Sequence, residues 1–539
     1  MSTPPYPSLA SRAGAGHPTV LSRRARERLL LFMTALIPLV LALAISVATP
    51  HPSVKEVVEV VLLILGAVGV VVLMASVRYT VSLTLLVLYL GLLDGPVKLE
   101  AANKLASGFR DILIVAIALG MLMRASAQKT RLSLPPLAGW VIGFVAVALV
   151  EALNPDTHGF LKALGGYRQQ LEFVPFFFFG YLMMCSKHRF RQLFLIFGVL
   201  ALANGLVGAY QSRLSPSQLS GWGPGYGERV NGKGGQTGRT YAVEGVAHPR
   251  PPALGSDSGF GGGIGVLALP GLLALLTSGR LRRRWPVVLC CMGAVAGIAT
   301  SGSRTSIVVA LVVVASYAGL SLLARLRLGR PLAALLALAL VAGAVGWALQ
   351  AADGSQVFHR QESLLKITGV TESTGGRETG GDGKEKHLNE IPRDLLQAPF
   401  GLGLGVSGSV AGFGGHEKVT IENEKVSGAG SAFNLLVVEL GAPGLFLWIG
   451  LTIAALALAL KGLRRVVDPE LRVYLVAMVA AYLGYTAQGF IGPTLAVTPA
   501  GVYLWFVPGV IAYWFAGPGR VALRRSSTVS IAPALRVGA

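Results

Sequence analysis

Long apolar runs recur along almost the whole chain, and they constrain its fold more than any other feature. Each run holds about 15–25 residues, the length of helix that crosses a hydrocarbon core about 30 Å thick. Of the 539 residues, 53% are hydrophobic and only 14% are charged, whereas an average soluble domain has about 25% charged residues. The chain is therefore predicted to be an all-α polytopic integral membrane protein.

The runs divide the chain into 12–14 candidate transmembrane helices. The upper count includes two short runs, the third and the ninth, which could be half-helices. A large polar segment interrupts the series before the last three helices. The candidate spans are 29–48, 56–76, 79–94, 111–127, 134–153, 171–185, 191–211, 258–278, 286–300, 305–323, 331–350, 431–460, 473–491 and 497–516.

Basic residues decide the predicted orientation. With the N-terminus in the cytoplasm, every short loop on that side carries Arg or Lys, as the positive-inside rule requires. A miscount of one span would instead place several dense basic runs outside. The cytoplasmic segments are then the N-terminal SRRARER, the loops SVRYT, RASAQKTR, SKHRFR, GRLRRRW, ARLRLGR and KGLRRVVDPELR, and the tail GRVALRRSS.

This orientation gives the predicted domain organisation. Residues 1–28 are a cytoplasmic tail, residues 29–350 hold transmembrane helices 1–11, and residues 351–430 form a large extracytoplasmic loop. Residues 431–516 hold the last three helices, and residues 517–539 are a cytoplasmic tail. Smaller outer loops lie near residues 154–170 and 212–257, and TSGSRT forms a tight outer turn.

The net charge of +21 would suggest a nucleic-acid partner in a soluble protein. Here the basic residues lie in short loops between apolar runs, so no nucleic-acid partner is expected. The three cysteines, Cys185, Cys290 and Cys291, lie in or beside apolar runs without metal-ligand spacing. We expect neither a metal site nor another cofactor.

Three arginines on the predicted outer face are the candidate anion-binding residues. Arg168 in GGYRQQLEF, Arg250 in AHPRPPALG and Arg304 in SGSRTS lie at the outer ends of spans or in the loops leading into them. The guanidinium group is a planar, permanently charged fork that suits phosphate oxygens. Snorkelling or topology marking is the simpler interpretation, but outer segments are usually poor in arginine. We expect a binding site for a lipid-linked pyrophosphate.

Carboxylates inside the predicted spans also lie towards the outer surface. Glu59, Glu151, Glu172 and Glu439 are each within about three helical turns of an outer end. A secondary transporter would place such charges near the bilayer midplane, often on paired broken helices. The distribution favours a reaction at the outer surface.

Two glycine-rich stretches resemble ligand loops only superficially. GLGLG at residues 401–405 lacks both the Lys-Ser/Thr of a P-loop and the spacing of a dinucleotide fingerprint. GSDSGFGGGIG at residues 255–265 is expected to permit close packing between helices.

In order and sidedness, several segments resemble the O-antigen ligase and polymerase superfamily of bacterial polysaccharide assembly. LGGYRQQLEFVPFFFFGYL is similar to that family's Gly-x-Arg segment, and TSGSRTSIVVALVVV to its Ser-Arg turn. RPPALGSDSGFGGGIGVLALP is similar to an outer loop and the helix after it. APFGLGLG and NLLVVELGAPGLFLWIGL resemble its Pro-x-x-Gly-x-Gly segment and Glu-x-Gly-x-x-Gly helix. These matches run from about Gly165 to Ile449.

The resemblance implies a metal-independent glycosyltransferase of the bacterial cytoplasmic membrane. Its donor would be a glycan on undecaprenyl pyrophosphate, and Arg168, Arg250 and Arg304 would contact the pyrophosphate or support its cavity. Membrane lipid, a flippase and a chain-length regulator are the other implied partners. The large loop would supply the base that deprotonates the acceptor hydroxyl, with His416 or Glu424 as the candidates.

One departure bears on which reaction to expect. Ligases of this family carry a His-Asn pair about nine residues before the Glu of the Glu-x-Gly helix. Counting back from Glu439 gives Gly430 and Ser431 instead. We therefore favour a polymerase of exopolysaccharide, capsule or O-antigen repeat units over a ligase. A glycolipid flippase and a non-catalytic scaffold of an export complex are the alternatives from other classes.

Overall fold

A computed structural model describes most of the chain beyond residue 67. The described residues are 68–72, 74, 79–101, 104–127, 134–157, 159–232, 240–243, 246–257, 259–278, 284–324, 339, 391–410, 420–421, 424–425 and 431–520. The predicted span 29–48, all of the span 331–350 except residue 339, most of the span 56–76 and most of the large loop lie outside these residues. Contacts divide the chain into two compact units, residues 1–90 with 103–134 and residues 91–102 with 135–539.

Helices make up most of the described chain. They are α1 (Tyr79–Leu92), α2 (Asp94–Ala101), α3 (Lys104–Ala127), α4 (Ala138–Glu151), α5 (Phe160–Leu171), α6 (Pro175–Met183), α7 (Lys187–Gln211), α8 (Pro216–Ser220), α9 (Pro224–Asn231), α10 (Phe260–Ser278), α11 (Trp285–Thr300), α12 (Arg304–Leu323), α13 (Ala432–Leu463), α14 (Pro469–Gln488) and α15 (Ala500–Ile511). Two short antiparallel hairpins pair β1 (Thr240–Val243) with β2 (Val246–Pro249) and β3 (Thr420–Ile421) with β4 (Glu424–Lys425).

Four described helices are long and apolar enough to cross a bilayer: Lys187–Gln211, Phe260–Ser278, Thr305–Leu323 and Ala432–Leu463. A fifth span results if Thr80–Leu92 and Asp94–Glu100 are one broken helix. The apolar helices Ala138–Glu151, Trp285–Thr300 and Ala500–Ala516 are shorter. The chain is thus a helical membrane protein, as predicted, and the total of 12–14 spans stays a prediction.

The described part of the first unit is built on α3 and most of α1. The Tyr89 ring meets the edge of the Phe109 ring, with centroids 5.5 Å apart. Leu83, Leu86 and Leu113 are almost completely buried. The ring contact joins the two helices, and these leucines belong to the buried core.

In the second unit, α7, α10 and α11 pack with their backbones close together. Glycines lie where the helices approach most closely. A side chain at Gly205 would strike the carbonyl of Gly293, and one at Gly265 would strike that of Ala294. Small residues allow such close van der Waals contact in lipid, where no hydrophobic effect drives helices together. The packing role predicted for GSDSGFGGGIG is confirmed.

Helix α13 is broken at Gly441, which has φ 62° and ψ −161°. In a regular helix the amide of Ala442 would donate to the carbonyl of Val438, four residues earlier. Both groups bond instead to residues within the second half of the large loop. Ala442 N donates to Pro399 O at 2.8 Å, and Leu402 N donates to Val438 O at 2.9 Å. This part of the loop therefore satisfies the backbone groups that the break exposes.

We call residues 398–407 the docked segment. Its glycines Gly401, Gly403 and Gly405 have φ values of 93°, 96° and 83°, a left-handed conformation that glycine adopts without strain. Gly403 lies against Thr157, and Gly405 lies against the carbonyl of Lys162. The GLGLG stretch therefore serves close backbone packing against α5 and the turn before it.

Three loops that are predicted to share the cytoplasmic side meet at one end of the second unit. Lys187 Nζ lies 2.7 Å from Asp468 Oδ2, which joins SKHRFR to KGLRRVVDPELR. Arg472 Nη1 donates to the carbonyl of Ala324 at 3.1 Å, which adds the loop ARLRLGR. We call the end formed by residues 187, 324 and 464–472 the basic end.

Candidate functional site

The segments that carry the predicted arginines lie at the end opposite the basic end. Arg304 begins α12, whose other end leads into Ala324. The loop after Arg250 contacts Gln211, at the far end of α7 from Lys187. We call residues 160–172, 250–255, 301–304 and 398–407 together the site end.

Two buried amides of α7 hold the loop that follows Arg250. Gln211 Oε1 accepts from Ala253 N at 2.8 Å, and Gln211 Nε2 donates to Ala253 O at 3.2 Å. Asn204 Oδ1 accepts from Leu254 N at 3.1 Å. Both amide side chains are fully buried, and seven residues, about two turns, separate them on α7.

This clamp supports an uncommon backbone conformation. Ala253 has φ 55°, in the left-handed region that residues with a Cβ avoid at a cost of about 1–3 kcal/mol. The two hydrogen bonds from Gln211 satisfy both backbone polar groups of Ala253. Arg250 itself is partly buried and directly follows β2. The sequence therefore places this arginine on a loop whose course is fixed by neighbours far away in the chain.

The Ser-Arg turn forms the second segment. Ser303 caps α12 by accepting from the amide of Ser306 at 3.3 Å, and Ser301 Oγ donates to Ile298 O at 2.8 Å. Gly302 has φ 59°, which completes the tight turn between α11 and α12. Arg304 is thus held at the first position of α12, and its side chain lies outside the described residues.

The start of α10 brings these two segments together. Gly261 packs against the Cβ of Ala253, on the loop after Arg250. Gly262 packs against Ser301 and Ser306, on the other side. The backbones that carry Arg250 and Arg304 are therefore both neighbours of one helix N-terminus, where the helix dipole favours an anion.

Arg168 lies on a different element. It is near the C-terminal end of α5, where its side chain is 32% exposed and its Nε is 4.0 Å from Glu172 Oε2. Helix α5 lies within the predicted outer loop 154–170 and extends one residue beyond it. Its apolar side chains Phe160, Leu161 and Leu164 are exposed, whereas Lys162, Gln169 and Gln170 are buried.

The inward face of α5 surrounds the carboxylate of Glu439, which is completely buried. Gln169 Nε2 and Gln170 Nε2 donate to its two oxygens at 3.0 Å and 2.8 Å. The amide of Ser407, in the docked segment, donates to it at 3.3 Å. The amide of Gly405 also hydrogen-bonds this carboxylate. Three separate elements, α5, α13 and the docked segment, therefore meet at one side chain.

Lys162 adds a buried positive charge to this cluster. Its side chain has no exposed surface, and its Nζ has no hydrogen-bond partner among the residues that the structure describes. Burial lowers the pKa of Lys162, and the nearby Glu439 carboxylate acts in the opposite direction. A buried charge is tolerated best beside an opposite charge, and Glu439 is the acidic residue whose charge acts on Lys162.

The side chains of both candidate bases lie outside the described residues. His416 lies outside the described residues, and Glu424 belongs to β4, with its side chain outside them. Their assignment stays a prediction.

Sequence reasoning missed the amides that organise the site end. Gln169 and Gln170 follow Arg168 directly, and two adjacent amides at the edge of an apolar run are the signal that could have drawn attention to them. Glu439 was predicted near the outer surface but without partners. For Asn204 and Gln211 the only signal is a polar residue inside an apolar span, which does not reveal what it binds.

Comparison with known proteins assigns no family to the chain. No protein-family model matches the sequence, and no curated protein matches it.

Proposed function

We propose that the chain is a membrane glycosyltransferase that polymerises oligosaccharide repeat units carried on undecaprenyl pyrophosphate. The observation that carries the proposal is the clamped loop that directly follows Arg250. That loop is held by Gln211 and packed beside the start of α10, next to the turn that leads to Arg304. An arginine that leads into such a loop beside a helix N-terminus suits the phosphates of a leaving pyrophosphate.

The proposed reaction joins two lipid-linked glycans. The acceptor hydroxyl, at the non-reducing end of one repeat unit, attacks the anomeric carbon of the growing chain. The bond from that carbon to the pyrophosphate oxygen breaks, and undecaprenyl pyrophosphate leaves with the electron pair. The hydroxyl proton passes to a base of the large loop, His416 or Glu424. Arg168 and Arg250 stabilise the charge on the leaving group, and Arg304 supports their cavity.

The setting of the reaction follows from the same proposal. The enzyme works at the outer face of a bacterial cytoplasmic membrane, with both termini in the cytoplasm. Its substrates are lipids of that membrane. A flippase delivers them, and a chain-length regulator limits the product.

Polymerisation is preferred over ligation because Gly430 and Ser431 stand where ligases of the family carry their His-Asn pair. It is preferred over lipid flipping because the buried charges Lys162, Glu172 and Glu439 of the second unit lie in or directly beside the site end. A transporter would place such charges along a path near the midplane.

Lipid-linked intermediates from cells that lack the protein test the proposal. We expect single repeat units to accumulate on undecaprenyl pyrophosphate at the outer face. Full-length polymer that fails to reach its final acceptor would indicate a ligase. Units retained on the inner leaflet would indicate a flippase. Either of these results overturns the polymerase.

A further inference from the structure

We infer that Glu439 is a positioning residue, which fixes Arg168 and the docked segment by joining them to the broken helix α13. The inference rests on the proposed function for the role of Arg168 only. The hydrogen-bonded arrangement itself is independent of any substrate.

The first support is how fully the carboxylate is occupied. Oε1 accepts from Gln169 at 3.0 Å and from the Ser407 amide at 3.3 Å, and Oε2 accepts from Gln170 at 2.8 Å. Its side chain is completely buried. A general base must reach the proton that it removes, and this carboxylate faces only protein. Glu439 therefore organises the site and does not take the proton from an acceptor hydroxyl.

The second support is the reinforcement around the same point. Gln169 Nε2 also donates to the carbonyl of Ser407 at 3.2 Å, so this one amide bridges the docked segment and Glu439. Leu404 N donates to Glu151 O at 3.2 Å, at the end of α4. The bonds from Ala442 and Leu402 lie within one turn of Glu439 along α13. Side-chain and backbone bonds thus hold the docked segment from two sides.

The link to Arg168 is geometric. Successive residues of an α-helix are about 100° apart around its axis. Anchoring the adjacent Gln169 and Gln170 to Glu439 therefore sets the rotation of α5. That rotation decides the direction of Arg168, which is the residue immediately before them. Without the anchor, α5 would lose the side-chain hydrogen bonds that set this rotation, and its arginine would shift from the pyrophosphate position.

The substitution E439Q distinguishes a positioning role of Glu439 from a role in the proton transfer. In E439Q the new carbonyl oxygen can accept from Gln169 and Ser407. The new amide can donate to Gln170 Oε1, which has no hydrogen-bond partner in the described chain, once the Gln170 amide rotates by half a turn. E439L has the same approximate size but offers no acceptor. Since E439Q leaves Lys162 without its counter-charge, E439Q/K162M is the matched neutral pair.

The first measurement needs no substrate. Spin labels at L164C and F400C, on a C185S background, report the distance between α5 and the docked segment in nanodiscs. Both positions are exposed, at 47% and 71%. We expect a narrow distance distribution in the unmutated protein and in E439Q/K162M, and a broad or shifted one in E439L. Q170L removes a single arm and should broaden the distribution partly, which keeps the test decisive if E439L does not fold.

The second measurement is polymer formation from lipid-linked repeat units. We expect E439L to raise KM for the donor by about tenfold or more, the size of a lost hydrogen bond to a charged group. E439Q/K162M should keep KM, kcat and the pH profile close to those of the unmutated enzyme. If E439Q/K162M keeps the narrow distance distribution but loses turnover, Glu439 acts in the chemistry and the inference is wrong. An unchanged distribution in E439L also overturns it. If the unmutated protein forms no polymer while the distances behave as expected, the proposed function fails and the anchoring role stands.

Discussion

At the scale of single residues, the site end depends on side chains that hold other side chains. Gln211 and Asn204 hold the loop that follows Arg250, and we infer that Glu439 positions Arg168 through its neighbours Gln169 and Gln170. The buried residues Asn204, Gln211 and Glu439 each satisfy backbone or amide groups that would otherwise lack partners, and such groups cost about 1–3 kcal/mol each when left unpaired. The backbone segments that carry Arg168 and Arg250 are therefore held by buried hydrogen bonds, and under the proposed function this reduces the reorganisation that a charged transition state would require.

The central residue-scale prediction concerns Arg250. R250A should lower polymerisation by about tenfold to a hundredfold, because a hydrogen bond to a charged group contributes about 1.5–3 kcal/mol. R250K should recover only part of the loss, since lysine lacks the planar fork. Turnover of purified variants is the measurement, with R465A as control because Arg465 is exposed at the basic end. Full activity of R250A would remove the pyrophosphate contact from the mechanism.

A second residue-scale prediction concerns pH and the basic end. Burial alone would raise the pKa of Asp468, but the Lys187 ammonium and the amides of Leu471 and Glu470 outweigh it and hold the pKa below the ordinary 3.8. A carboxylate with a lowered pKa stabilises the fold above its unfolded value, and this contribution is lost as the pH falls through the folded value.

D468N isolates that charge, because asparagine can still cap α14. We expect D468N to melt below the unmutated protein in detergent at neutral pH. The gap should stay constant down to pH 3.8 and close as the pH falls further. A gap that persists in strong acid would show that the pairing with Lys187 contributes nothing to stability.

At the scale of elements, the break in α13 is the feature that organises the large loop. A glycine with positive φ interrupts the helix, and the docked segment takes up the backbone groups that are released. The loop is thereby anchored at its C-terminal part, beside α5 and beside Glu439. This arrangement makes the helix break and the loop anchor one structural unit.

Substitution of Gly441 tests this unit. A Cβ at Gly441 would meet the backbone of Pro399 and Phe400, and φ 62° is strained for alanine. G441A should destabilise the protein by about 1–3 kcal/mol and speed amide exchange at Leu402. The matched control is G492A, since Gly492 has open space around it. Slow exchange at Leu402 in G441A would mean that the docked segment does not depend on the break.

The elements also show how far the sequence could predict the fold. Apolar periodicity and length predicted α7, α10, α12 and α13 to within a few residues, because a membrane span is recognisable from a long run of apolar residues. The same reasoning could not predict that α5 buries its polar face, since the partners are Glu439 and a loop more than 230 residues away. Gly441 and Pro443 signal a helix break in the sequence, but nothing local indicates which segment fills it. Long-range hydrogen bonds are therefore the part of the fold that sequence patterns alone do not predict.

At the scale of the whole molecule, the described part of the second unit has two ends that differ in charge. The basic end holds Lys187, Arg464, Arg465 and Arg472, and the site end holds the buried groups Lys162, Gln169, Gln170 and Glu172 together with the backbones of the predicted arginines. The predicted sidedness puts the loops of the basic end on one side of the membrane, and the contacts of Lys187 with Asp468 and of Arg472 with Ala324 bring described residues of the three loops together. Which side of the membrane each end faces stays a prediction.

Thiol labelling checks that orientation. On a C185S background, R213C near the site end should react with a membrane-impermeant reagent. The cells for this test have a sealed cytoplasmic membrane, and the outer layers of their envelope are opened to the reagent. R465C at the basic end should react only after the membrane is permeabilised. Both side chains are exposed, so burial does not confuse the comparison. The reverse pattern would contradict the predicted cytoplasmic termini.

The measurement that tests the central claim most directly is polymerisation by the purified protein in liposomes. The assay supplies repeat units on undecaprenyl pyrophosphate, with no other protein and no added metal ion. We predict a ladder of products that grows by whole repeat units, with one undecaprenyl pyrophosphate released for each bond formed, and loss of the ladder in R250A. Repeat units that cross the bilayer without being joined, or a glycan moved once to a different acceptor without chain growth, would contradict the account.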